Sequence, residues 1–413
     1  MAAPPVPTLD QLFARSARRF PTRIAVQDGW HQLTYARTEQ RATQLASALV
    51  LGGVQLGDAL VVHCENHRQA LVAQLAVLKA GGVCVPVPRS PSGPELARAV
   101  EASGARAVLS SRAAYDRRVP GVPTLALDDP ATWRKIAASP VDPSLPRSGP
   151  EEAAHLMLAG DQGPAGDRLV DHRSWWLSIA DRVRRAGSAT HTVAVDEPPM
   201  SAVALAAMWW AFTDGGTLHS APWSDDANWP LAGGGSGITM MTPAGYARHL
   251  ERPAHARPAT GSSTDPGTVV LLGDPCSRSL VTRHFAVRPA TRLWAEFAPV
   301  GGPVPWTAHQ LFARDARQPH ALGAGRSVPP ARIRILGPRG HNLPRGEAGE
   351  LVAVVPAGVT EDVQRSGWYG CWTSERTLEV TERPTATARG ALRPPAIRPP
   401  AIRPANSPEG ERT

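Results

Sequence analysis

The segment whose residue types and spacing suit phosphate chemistry is a glycine-containing loop, Gly160 to Gly166. A short apolar stretch, Ala154 to Ala159, runs into a glycine loop at Gly160 to Gly166, and a helix is predicted near Trp175 to Arg185. Strand, glycine loop and helix in that order often build anion sites, because unhindered backbone N–H groups can converge on a phosphate. Two carboxylates, Asp161 and Asp167, sit in the same segment and would repel a phosphate. Lys79 and Lys135 are the only lysines, so chemistry that needs lysine has few places to sit. A second candidate is the string HCENH, in which His63, Cys64 and His67 could offer metal ligands. It follows a predicted strand and reads as the closing turn of that strand.

The positioning elements come from a chain of 413 residues, 42% of them hydrophobic, enough for a core that divides into subdomains. Cys64, Cys84, Cys276 and Cys371 lie far apart with no C-x-x-C pair, which suggests neither a zinc knuckle nor a disulfide framework and fits a reducing, cytoplasmic setting. The longest apolar run, Met200 to Phe212, is too short to span a bilayer, and no membrane association is expected. The opening TLDQLFARSARRF has an amphipathic helical pattern and reads as an ordinary first helix rather than a transit peptide. Net charge is +8, yet the arginines are scattered and no aromatic-and-basic stripe or Cys/His finger accompanies them, so no specific nucleic-acid partner is expected.

From Thr8 to about Leu127, helical patterns such as Glu39 to Val50 alternate with apolar runs such as Ala59 to Val62 and Val83 to Val87, the order of β-α-β units. A Pro- and Ser-rich loop, Ser139 to Pro150, separates a second α/β block, in which Thr268 to Leu272 and Thr291 to Phe297 read as strands around a helix at Arg278 to Phe285. From Ala331 to Val355 two strands are joined by a polar loop, the start of a β-rich lobe. The expected organisation is a first α/β subdomain at 8–138, a second at 151–320, a β-rich lobe at 321–383 and, at 384–413, a disordered Arg/Pro-rich tail with an RPPAI near-repeat.

Several strings in order resemble the adenylate-forming (AMP-binding) superfamily, the adenylation domains of nonribosomal peptide synthetases and the related acyl-CoA synthetases. Leu33-Thr34-Tyr35 resembles the first short motif, and Leu78-Lys79-Ala80-Gly81-Gly82-Val83-Cys84-Val85-Pro86 matches the second almost fully. Leu272-Gly273-Asp274, Gly325-Arg326, the string from Leu343 to Leu351, Gly367-Trp368-Tyr369 and Leu378-Glu379-Val380 follow in the family's order. The resemblance implies an α/β fold: the N-terminal large lobe, with two parallel-type sheet subdomains and a smaller β-rich lobe, the C-terminal small lobe being absent. These strings carry turns and packing, and Lys79 is read as a solvated helix-end residue.

Residues that the resemblance would make chemical are largely replaced. The phosphate loop, roughly S-G-[ST]-T-G-x-P-K-G in the family, is Ala159-Gly160-Asp161-Gln162-Gly163-Pro164-Ala165-Gly166-Asp167 here, with Gly160, Gly163 and His172 in register and glycine at the lysine position. The metal-binding motif N-x-Y-G-P-T-E becomes Ala295-Glu296-Phe297-Ala298-Pro299-Val300-Gly301, and Glu296 is a poor replacement because it lies on the wrong face of a predicted strand. The aspartate that holds a substrate ammonium in F-D-x-S-x-x-E has no counterpart in Ser201 to Ala207. Thr373 takes the place of the ribose-binding aspartate, with Trp372 beside it in nucleotide space. The tryptophan pairs Trp175-Trp176 and Trp209-Trp210 read as core. Charged hydrogen bonds contribute about 1.5 to 3 kcal/mol each, so losing three weakens nucleotide binding by about 4 to 9 kcal/mol.

The resulting expectation is a catalytically impaired pseudo-enzyme, an accessory or scaffold in a nonribosomal-peptide type of pathway. Its partners would be synthetase or carrier proteins, no cofactor is expected, and Gly160, Gly163 and His172 remain as the remnant of a cofactor-binding loop. The alternative is a divergent ligase that uses ATP and magnesium to activate an apolar or non-amino acid substrate, with a C-terminal lobe supplied in trans.

Overall fold

Helical spacing of apolar residues sets the first element: α1 (Leu9–Arg19) buries Leu9, Leu12, Phe13 and Ala17 and leaves Arg15, Arg18 and Arg19 exposed. The computed structural model describes residues 5–87, 93–111, 119–158, 167–188, 192–220, 237–251, 267–299, 302–317, 322–357 and 360–381. The tail expected at 384–413 lies outside them.

Three sheets follow. The strands β1 (Ile24–Asp28), β2 (His31–Thr34), β3 (Ala59–His63), β4 (Val83–Pro86), β5 (Ala107–Ser110), β6 (Thr124–Ala126), β7 (Ala153–Met157) and β8 (Arg168–Asp171) divide between two of them. A six-stranded sheet has the order β6-β5-β3-β4-β7-β8, parallel apart from the β7–β8 pair. The helices α2 (Tyr35–Leu51), α3 (His67–Lys79), α4 (Gly93–Ser103) and α5 (Pro130–Ala138) belong to this half of the chain.

The larger sheet recruits β9 (Thr192–Val195), β10 (Thr217–Ser220), β11 (Ile238–Met241), β12 (Thr268–Gly273), β13 (Arg292–Phe297), β14 (Thr307–Leu311) and β15 (Arg326–Ser327). Its order, β15-β14-β13-β12-β11-β9-β10-β1-β2, has a parallel centre and antiparallel margins. Its helices are α6 (His172–Ala186), α7 (Ala202–Ala211), α8 (Pro243–Glu251) and α9 (Arg278–Val287). The strands β16 (Arg332–Leu336), β17 (Gly349–Ala357), β18 (Thr360–Trp372) and β19 (Leu378–Thr381) form an antiparallel meander, the β-rich lobe. This is the large-lobe α/β layout expected from the sequence.

Sheet membership diverges from chain order. β1 and β2 join the larger sheet, with Val26 opposite Leu218, although they precede every strand of the six-stranded one. β7 and β8, which open the second block, extend the first sheet through Cys84 and His155. The two blocks therefore interlock. Asp28 fastens the join: its carboxylate accepts from the His67 amide at 2.9 Å and from the Ser220 hydroxyl at 2.7 Å.

α3 and α7 fill the space between the sheets. The main core runs from Leu60 and Val62 of β3 through these helices to Val193, Val195 and Leu218. A helix in that position must be apolar all round, and α7 buries nine of its ten residues, Trp209 and Trp210 among them. In α3 only Arg68 and Gln69 escape burial. The helix is capped by Asn66, whose Oδ1 accepts from the Gln69 amide at 2.9 Å. It ends where Gly81 takes φ +79°, and a Cβ there would stand 2.6 Å from Leu56. That turn is why the second motif is so strictly spelled.

Candidate functional site

β7 and β8 pair antiparallel, with Met157 opposite Arg168. Gly160, Gly163, Asp161 and Gly166 lie outside the described residues. The expected strand–loop–helix is amended: β8 intervenes, and the helix expected near Trp175 to Arg185 is α6, His172–Ala186. Leu169 and Val170 can pair with β7, which extends the sheet before the helix begins. Asp171 then caps α6 with its carboxylate on the Ser174 amide at 2.5 Å.

His172 is fully buried. Its Nδ1 accepts from the Leu9 amide at 3.0 Å, which places the ring proton on Nε2, and its own backbone N–H donates to the Glu152 carbonyl at 3.1 Å. Burial pushes its pKa down to about 3, so the ring is neutral. The histidine therefore tethers the first turn of α1 to the start of α6. Beside it, Trp175 Nε1–H donates to His155 Nδ1 at 3.0 Å, and His155 Nε2 lies 3.1 Å from Gln74 Oε1. Gln74 in turn donates to the sulfurs of Met200 and Met208. Sequence alone carried no signal for this buried chain.

Glu296 lies at the strand end where the sequence offers a carboxylate near the family's metal-ligand position. It is committed elsewhere: Arg182 Nε approaches Oε1 at 3.0 Å, Arg182 Nη2 approaches Oε2 at 2.6 Å, and Arg185 Nη2 approaches Oε1 at 3.0 Å. Both Glu296 and Arg182 are fully buried. Desolvation alone would raise the Glu296 pKa, but Arg182 and then Arg185 override it and hold the carboxylate below its ordinary value. Asp181 joins through Arg185 Nε at 2.6 Å. Arg184 also pairs with Asp181, so three arginines meet two carboxylates across β13 and α6. The Asp181–Arg185 spacing of four was the one readable sign of it.

The neighbouring groove is narrow. Arg168 on β8 donates through Nη2 to the Pro299 carbonyl at 3.2 Å, and a Cβ on Gly302 would meet both its Nη atoms at 3.4 Å. Together with Met157, Val304 and Trp306 it lines a cavity of only ≈ 30 Å³. Small-molecule sites commonly hold about 300 to 1,000 Å³.

The other singled-out residues are structural in their contacts. Ser201 caps α7, accepting from the Ala204 amide at 3.2 Å, and residues 203–207 are buried apolar core. Thr373 Oγ1 accepts from the Thr377 amide at 3.2 Å and closes the β18–β19 turn. Trp372 packs with Trp368 against the cluster of Phe297 and Trp306. Trp175, Trp209 and Trp210 are core. Lys79 corrects its expectation: it is buried, not solvated, with Nζ 2.6 Å from Glu39 Oε1, because α3 ends inside the protein. His63 Nδ1 lies 3.4 Å from the Val87 carbonyl, and burial lowers the His67 pKa to about 4. Among the described residues, no group of three or more His, Cys, Asp or Glu side chains is placed to hold a metal. No described helix is long and apolar enough to cross a membrane.

Comparison with known proteins bears on this geometry. A family described as AMP-binding enzyme matches residues 13–159. Tyrocidine synthase 2 of Brevibacillus parabrevis is 25% identical over 359 residues, which cover 83% of this chain and 9% of that protein. The chain thus spans a small part of that relative. The nonribosomal peptide synthetase FmoA3 (S1046A) superposes with a TM-score of 0.78 at 21% identity, covering 92% of this chain and 43% of the other. The Klebsiella oxytoca NpsA N-terminal subdomain, solved with 3-hydroxybenzoyl-AMSN, superposes with a TM-score of 0.73 at 18% identity, covering 91% of this chain and 100% of the other.

Proposed function

We propose that this chain, which is a homologue of the adenylation domains of nonribosomal peptide synthetases, keeps their large-lobe fold without their adenylating chemistry. It acts as an accessory or scaffold in a peptide-synthetase type of assembly. The observation that carries this reading is the pairing of Glu296 with Arg182 and Arg185. The carboxylate nearest in sequence to the position of the family's metal ligand is neutralised by two arginines and turned into the protein. It has no charge left for magnesium.

On this reading the described residues do not fit a bound ATP and magnesium. Arg168 bridges to the Pro299 carbonyl across the groove beside that position. Thr373 and the apolar 201–207 segment offer no carboxylate for a ribose or an ammonium group. Gly160 and Gly163 are, on this reading, the remnant of a phosphate loop, and His172 is a packing residue. No catalytic step is therefore assigned. The groups left for interaction are surfaces, and the partners proposed are synthetase or carrier proteins of such an assembly.

The test is ATP-dependent hydroxamate formation with a panel of amino acids and apolar carboxylic acids, run beside a binding assay against synthetase and carrier proteins. The reading expects no hydroxamate and a complex with at least one such protein. Activation of any carboxylate would contradict the first half, and failure of every synthetase or carrier protein to bind would contradict the second.

A further inference from the structure

A groove away from β8 and β13 gathers charge that the sequence scatters. Arg41 of α2, Arg68 of α3 and Arg134 of α5 converge on a cavity of ≈ 490 Å³, within the range of small-molecule sites. Among the described residues, the one carboxylate lining it is Asp128. Asp129 stands at its edge, occupied in capping α5 through the Ala131 amide at 2.9 Å. Three guanidinium groups against one lining carboxylate leave a net positive cleft. The N-termini of α3 and α5 lie beside it, at Arg68 and Pro130, but Asp28 and Asp129 already meet them with carboxylates, so the guanidinium groups carry the positive charge of the cleft.

Among the described residues, the donors are held ready. Trp133 is fixed by donating from Nε1 to the Leu127 carbonyl at 2.6 Å, and it carries the Arg41 guanidinium 5.2 Å from its ring centroid. Gln69 has its Oε1 engaged by Asn66 and Ser111, which orients the amide and leaves its NH2 group to donate. Arg68 Nε is buried and meets no acceptor among the described residues. A buried donor without an acceptor is costly, and an anion in the groove would satisfy it. Burial first, and then the neighbouring Arg37 and Arg68, lower the Arg41 pKa, a crowding of like charge that a bound anion would relieve.

We propose that this groove binds a small, multiply charged oxyanion, a phosphate or a polycarboxylate, held by the guanidinium groups of Arg41, Arg68 and Arg134 and the amide of Gln69. Val72 and Leu127 supply an apolar floor, so the ligand has room for a short carbon skeleton beside its charges. The site is independent of whether the chain adenylates anything.

The experiment is a calorimetric titration of the full chain with inorganic pyrophosphate and, separately, with citrate. Saturable one-to-one binding is expected, weakened roughly tenfold or more by Arg41→Gln or Arg68→Gln and unchanged by Arg345→Gln, an exposed arginine of the β-rich lobe. Binding of pyrophosphate alone assigns the site to phosphates, binding of citrate alone to polycarboxylates. Equal weakening by Arg345→Gln would mean diffuse attraction to a basic protein and would overturn the proposal, as would no saturable binding at millimolar ligand. Because the variants could fold poorly, the unaltered protein is also followed by amide and indole NMR. Pyrophosphate or citrate should shift the Trp133 indole and the Arg68 and Gln69 amides, and shifts confined elsewhere would overturn the site.

Discussion

Arg182 and Glu296 form a buried ion pair between α6 and β13, with Nη2 and Oε2 2.6 Å apart and both side chains fully buried. Such a pair stabilises only as a pair, since removing one partner strands a charge in a medium that cannot solvate it. Glu296→Gln is expected to lower unfolding free energy by about 3 to 5 kcal/mol, measured by urea denaturation. Arg182→Met with Glu296→Leu should recover most of that loss. A stable Glu296→Gln protein would mean that the carboxylate is not held this way and could serve a metal.

Acid should destabilise the protein well before carboxylates protonate. Burial lowers the pKa of His155 and of His172 from the ordinary 6.5 to about 3, with His172 adding to the shift of His155. The folded state holds both rings neutral, so below about pH 6.5 the unfolded chain binds more protons. Stability is full above that pH and falls toward pH 3, by at most about 1.4 kcal/mol per pH unit for each ring. Loss of Glu296 ionisation adds to the fall at the acid end, while Asp10, whose pKa is raised by burial, opposes it. Urea midpoints at successive pH values should drop from neutrality downward, and His172→Asn should flatten the slope. A level profile would contradict the buried neutral pair.

Much of the fold was legible because the motif strings spell turns. Lys79-Ala80-Gly81-Gly82 predicts a helix end and a sharp return to a strand, and the left-handed Gly81 delivers it. The strands at 59–63, 83–86, 268–273 and 292–297 announced themselves as apolar runs. Which sheet each strand joins was not legible, because β1 pairs with a strand almost two hundred residues away and local pattern holds no record of that. The site was harder still. Glu296 and Arg182 lie 114 residues apart, and a lone buried glutamate in a sequence looks the same whether it awaits a metal or an arginine. Lys79 was misread for the same reason: a cation at a helix end is usually solvated, and here the end is buried.

Gln74 supports the His155 ring from α3. Gln74→Leu removes the acceptor for the His155 Nε2 proton while leaving the ring buried, at an expected cost of about 1 to 3 kcal/mol by urea denaturation. Unchanged stability would show that the contact is dispensable.

Gly325 belongs to the Gly-Arg string that opens β15, the edge strand of the larger sheet. It has φ +93°, and a Cβ there would stand 2.6 Å from the Ala308 carbonyl oxygen. Gly325→Ala should destabilise by at least about 1 kcal/mol, because both backbone conformation and β14 resist it. An unaffected thermal midpoint would mean that β14 and β15 do not meet as described.

The central claim is that the adenylate site has been given over to structure, and it is tested most directly by calorimetric titration with magnesium ATP, repeated with a nonhydrolysable acyl-adenylate analogue. The account predicts no binding in the micromolar range for either ligand, and none that is saturable and sensitive to Arg168→Ala at millimolar concentration. Micromolar binding of either ligand would show that a working nucleotide site has been built from other residues, and would contradict the account.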